Sequence, residues 1–127
     1  MSAEEAPDEG DLLGRIEQLA AESARFRVEA YVWVLRVLEA TRERLGRNGH
    51  VTGHELLAGN LRLARDEFGP MACEVLGHWG IHESEDLGRL VFTMVEADIL
   101  HKTENDTVDD FREGYDFRQA FVEEYRW

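Results

Sequence analysis

The chain has 127 residues, a 43% hydrophobic content and a formal net charge of −13, which places it near the usual size of one domain with enough apolar material for a single core. One cysteine, Cys73, leaves no intramolecular disulfide and excludes a stapled secreted scaffold. The longest unbroken apolar run, residues 30–35, is far short of the roughly 20 residues that span a bilayer, so no membrane helix is expected.

Residues 1–10 mix Glu, Asp, Pro and Gly without apolar periodicity and read as a disordered acidic tail; residues 11–127 read as a single helical domain. The tail has neither the basic start nor the apolar stretch of a signal peptide, and the expected location is the cytoplasm. Asp11 is placed to cap a short helix with Leu12, Ile16 and Leu19 on one face, ending near Ser23. From residue 28 to 45, Tyr31, Val34, Leu35, Leu38 and Leu45 form a stripe that Ala30, Trp33 and Val37 widen. A helix apolar around so much of its girth belongs at the centre of a bundle. Gly46 and Gly49 supply the left-handed backbone that stops it.

Thr52 with Glu55 three residues later is a capping box, and Leu57, Leu61, Ala64 and Phe68 continue the helix it starts. Gly69-Pro70 ends that helix and opens a short one carrying Met71, Ala72, Val75, Leu76 and Trp79 to Gly80. Ser84 is the expected cap of the next helix, whose Leu87, Leu90, Val91, Met94 and Val95 bury one face. Residues 99–103 alternate like a strand, 104–106 have turn chemistry, and a return strand falls between 107 and 115. Asp116 and Gln119 suggest a capping pair for a last helix with Phe117, Ala120, Phe121 and Tyr125 on one side. The expected fold is therefore mainly α: a compact bundle of five to six helices with a small C-terminal β-hairpin, the second half winged-helix-like.

Several strings in the chain resemble a small uncharacterised bacterial family of unknown function known chiefly from planctomycetes and verrucomicrobia. They are Glu29-Ala30-Tyr31, His50-Val51-Thr52-Gly53-His54-Glu55-Leu56, Phe68-Gly69-Pro70-Met71-Ala72, Val75-Leu76-Gly77-His78-Trp79-Gly80-Ile81 and Tyr115-Asp116-Phe117. The resemblance implies a stand-alone domain and brings no activity, cofactor or partner with it.

Charge weighs against nucleic acid at the winged-helix-like end. Residues 83–127 carry 13 acidic against 5 basic side chains, a net of −8, and residues 1–11 carry −5. Residues 12–82 hold nine of each sign and are neutral. The basic residues a DNA-binding regulator would use, Arg42, Arg44, Arg47, Arg62 and Arg65, all lie in that neutral stretch and are matched by acids there.

The sequence names no catalytic residues and no cofactor. His50/His54 and His78/His82 have a three-residue gap that suits a metal only on a continuous helix. His50 precedes the Thr52 cap and Gly80 interrupts the second pair, so all four are weak metal candidates. Adjacent carboxylates such as Asp109/Asp110 and Glu123/Glu124 do not face one another. No phosphate-binding glycine loop or nucleophile elbow is present. Six aromatic rings crowd the last seventeen residues among acids. The expectation is a non-enzymatic protein-protein interaction domain with an acidic, aromatic C-terminal face, its candidate contacts Asp109, Asp110, Tyr115, Tyr125 and Trp127. Its partner would be another protein or a second copy of the chain. A winged-helix-like regulator and a His-based metal-binding protein are the alternatives.

Overall fold

The computed structural model describes residues 9–46, 51–100, 117 and 119–123. Five α-helices account for most of them: α1 (Glu9–Glu22), α2 (Val28–Leu45), α3 (Gly53–Phe68), α4 (Ala72–His78) and α5 (Ser84–Glu96). The mainly helical class expected from periodicity is thus the class observed. None of these helices is long and apolar enough to cross a membrane.

α2 is the central element. Ala30, Tyr31, Trp33, Val34, Val37, Leu38 and Thr41 are all buried, and they meet α1, α3 and α5. Gly46 in the left-handed region, φ 67°, caps its C-terminus by donating its N–H to the Arg42 and Glu43 carbonyls. α1 begins at Glu9, inside the stretch read as tail, so Asp11 sits within the first turn of the helix rather than capping it. Ile16 is its buried contact with the core.

α3 starts at the capping box foreseen from its sequence: Glu55 N–H donates to the Thr52 hydroxyl at 3.2 Å, and Thr52 N–H donates to the Glu55 carboxylate at 2.9 Å. Such a cap contributes about 1 kcal/mol. α3 returns antiparallel along α2, and three contacts fix the pairing. Trp33 Nε1 donates to Asn60 Oδ1 at 2.8 Å in a fully buried setting, and Arg36 pairs with Glu67. At Gly59 an added Cβ would overlap the Thr41 hydroxyl, so the α3 backbone rests directly on the Thr41 side chain of α2. Gly69 (φ 55°) and Pro70 then turn the chain through one 3-10 turn into α4.

Two residues beyond α4 stands Gly80, φ 102°, where a Cβ would meet the Arg25 carbonyl. Trp79 accepts the Arg27 N–H on its carbonyl at 3.1 Å, so the α4–α5 turn is joined to the α1–α2 turn. α5 buries Leu87, Leu90, Val91 and Met94, the face that spacing anticipated. Its cap differs from expectation. Glu83 holds the N-cap position with extended backbone, and Ser84 is the first helical residue.

The described start of the expected hairpin is also different. Ile99 and Leu100 do not enter a strand; both N–H groups turn back to the Met94 carbonyl, at 2.9 and 3.2 Å, after Asp98 adopts φ 59°. That turn closes the helix on itself and buries Ile99 and Leu100, and the Arg15 guanidinium holds the Ala97 carbonyl from α1. β-branching at residue 99 served core packing, not a ladder. The remainder of the hairpin, residues 101–115, lies outside the described residues. No β-hairpin occurs among the described residues, and the residues expected to form the wing lie outside them.

Phe117 is helical where the last helix is expected to start, and Gln119–Glu123 forms a π-helical turn. Phe117, Ala120 and Phe121 are buried, the two phenyl rings meet edge to face at 5.4 Å, and Arg65 donates to the Ala120 carbonyl at 2.7 Å. These contacts pin the C-terminal segment against α3.

Candidate functional site

The histidines do not converge. His54 is exposed in the first turn of α3, His78 is exposed at the last residue of α4, and His82 is exposed between α4 and α5 with its ring against Gly77. His50 lies outside the described residues. Among the described residues no group of three His, Cys, Asp or Glu side chains is placed to hold a metal ion. Cys73 is half-buried on α4.

The most heavily engaged carboxylate is Asp86, 2% exposed in the first turn of α5. One oxygen accepts the backbone N–H groups of His82 and Glu83, at 2.8 and 3.2 Å; the other faces the guanidiniums of Arg25 and Arg89, at 3.2 and 2.7 Å. All its lone-pair directions serve the turn before α5 and the end of the α1–α2 connection, which makes it a structural brace and leaves nothing for a substrate. Arg89 also reaches Glu83 and Glu85, at 3.2 and 3.0 Å. Burial works against its charge, but the hydrogen bonds and charges of Asp86 and Glu83 outweigh it and hold the guanidinium above its ordinary range.

The five arginines of the nucleic-acid alternative are scattered. Arg42 pairs with Glu39 at 2.6 Å, and Arg65 is turned inward to Ala120. Arg44 and Arg62 line a trough between α2 and α3, while Arg47 lies outside the described residues. No continuous basic stripe forms among the four described.

Two surface features went unread in the sequence. Phe92 is 49% exposed on the outer face of α5, one turn from Glu96 and two from Glu85 along the same stripe, with Asp98 just beyond the helix. Its signal was available: Phe92 is the only ring on α5 and falls off the Leu87, Leu90, Val91, Met94 face. The trough between α2 and α3, about 450 Å³, is the second feature; the close Gly59–Thr41 contact that floors it has no signature in spacing. Toward the N-terminal end of α2, Trp33, Phe68 and Trp79 pack with tilted or edge-on rings at centroid distances of 5.2 to 6.0 Å, with Arg36 over the Trp33 ring at 5.5 Å. Trp79 therefore belongs to an aromatic wall and is half-buried.

Asp109, Asp110, Tyr115, Tyr125 and Trp127 lie outside the described residues. Of the six C-terminal rings, Phe117 and Phe121 belong to the core. Comparison with known proteins returned no matching family model, no similar curated protein and no similar solved structure.

Proposed function

We propose that this chain is a non-enzymatic protein-protein interaction domain, acting in the cytoplasm, that takes a basic partner segment on the acidic face of α5 and the residues after it. The observation that carries this reading is Phe92, a large ring held half in solvent on a packed helix, with Glu96 one turn further along α5 and Asp98 just beyond its end, while Glu85 on the same stripe is engaged by Arg89. An apolar anchor inside a charged rim is the usual build of a protein interface, and interfaces concentrate aromatic anchors. The surrounding third of the sequence, with its net of −8, would steer a basic partner toward it. Asp109, Asp110, Tyr115, Tyr125 and Trp127 extend the same chemistry in this proposal. The resemblance to an uncharacterised bacterial family is compatible with it and adds no partner.

A winged-helix regulator is the weaker reading, since Arg42 and Arg65 are already engaged within the fold. The test is affinity capture from the native host with three baits: wild type, Phe92→Ala/Glu96→Lys, and Asp109→Lys/Asp110→Lys. Basic proteins retained by the wild type and lost from both variants are the expected result. Recovery of the same set on all three baits overturns the reading.

A further inference from the structure

The outer surface between α2 and α3 carries several charged side chains that make no ion pair within the described residues. The helices touch at Gly59 and Thr41, with Ala40 and Ala58 beside that contact and Leu63 as the further apolar lining of the trough. Leu45 stands beside it in the last turn of α2, 41% exposed and without a place in the core. Glu43, Arg44, Arg62 and Asp66 line the rim, and none of the four forms an ion pair with another described residue. Arg62 and Asp66 are even one turn apart on α3, but in the base-before-acid order that helices reward least.

We propose that this trough is the contact face of a homodimer, closed by the same trough of a second copy across a two-fold axis. Charge selects the occupant. Residues 12–82, to which α2 and α3 belong, are neutral, so a contact made there adds no net like-charge repulsion between two copies of a chain carrying −13. A two-fold axis brings a surface against itself, so a self-contact needs both signs on one rim. Glu43 and Asp66 supply the acids and Arg44 and Arg62 the bases, while Glu55, the third acid of the lining, is held by the α3 capping box. In this arrangement the two α2–α3 hairpins lie face to face, each Leu45 enters the trough of the other copy, and the arginines of one rim meet the acids of the opposite rim. A purely basic or purely acidic partner would satisfy half of this rim and oppose the other half. The dimer is independent of the α5 face and leaves it outward.

Sedimentation equilibrium of the full chain over nanomolar to high micromolar concentration tests it. The expected result is a reversible monomer-dimer equilibrium. Ala58→Phe, which fills the exposed trough floor, and Leu45→Ser, which removes the anchor, should each weaken it by roughly tenfold or more, the scale of one lost anchor. Arg62→Glu should weaken it too, and adding Asp66→Arg should restore it, since the rim then again carries both signs. Circular dichroism melts separate lost association from lost folding, and two exposed sites on different helices keep the test open if one variant melts early. A monomer at every concentration, or a dimer that neither Ala58→Phe nor Leu45→Ser weakens, overturns the proposal. Phe92→Ala should leave the dimer unchanged, so failure of the dimer and failure of the α5 interface appear as different results.

Discussion

Tyr31 carries an unusual cost for a single residue. Its ring is fully buried on α2 against Phe26, edge to face at 6.3 Å, and its hydroxyl finds no hydrogen-bond partner among the described residues. Leaving a hydroxyl unsatisfied in the core costs about 1–3 kcal/mol, so Tyr31→Phe should raise the unfolding free energy measured in urea by about 1 kcal/mol after the ring repacks. The same burial pushes the phenol above its ordinary value near 10 by desolvation. A raised folded value means that the stability is fully present below the unfolded value and is lost as pH rises through the folded one. Urea unfolding above about pH 10 should therefore show the wild type losing stability faster than Tyr31→Phe, the other tyrosines being common to both. Equal slopes would remove the assignment. Periodicity put Tyr31 on the buried face correctly, but no sequence pattern says whether a phenol will meet an acceptor. The same holds for Asp86: it falls in the first turn of α5, and only folding brings Arg25 to it across sixty-one positions.

Among the elements, caps and stripes were legible because they are local. The Thr52–Glu55 box, the Gly46 stop, the Gly69-Pro70 turn and the buried face of α5 each follow from residues within one or two turns. What escaped was set by distant parts of the chain. Residues 99–100 have strand-like composition, but the end of α5 is closed by backbone bonds to Met94 and by Arg15 from α1, and that claim on the segment outweighs its propensity. The α2–α3 seam gives the sharpest test of an element contact. Gly59→Ala gains up to about 1 kcal/mol of helix propensity but forces a methyl into the Thr41 hydroxyl, an overpacking that costs about 1–3 kcal/mol. The Thr41 hydroxyl donates only to the Val37 carbonyl, at 2.7 Å, so removing it strands no partner. Gly59→Ala should lower the melting temperature, and Gly59→Ala/Thr41→Ala should recover most of the loss. A double variant no more stable than the sum of its singles would show that the two residues do not meet.

The charge of the whole molecule is arranged in a way that composition alone hides. A net of −13 could be spread evenly; here a neutral middle supplies α2 to α4 and the acid is concentrated at the two ends. Anisotropy of a labelled random duplex should stay flat on titration even at low salt, because non-specific affinity for DNA is electrostatic and the two engaged arginines break any basic stripe. A rise that disappears with added salt would reopen the regulator reading. At this scale the sequence was informative about shape class and about sign, both of which are sums over many residues. It was silent on which acids and rings stand together, because Phe92 and Glu96 become a patch only when the other face of α5 is committed to the core.

The bond from Arg27 N–H to the Trp79 carbonyl, with Gly80 pressed on Arg25, ties the first inter-helix turn to the last one before α5. Its consequence lies in the order of synthesis. A chain leaving the ribosome N-terminus first holds α1, α2 and their connection long before residue 79 exists, so that connection has no partner for its N–H until α4 has emerged. The N-terminal hairpin of helices can form early, but its geometry is fixed only when the end of α4 folds back onto it.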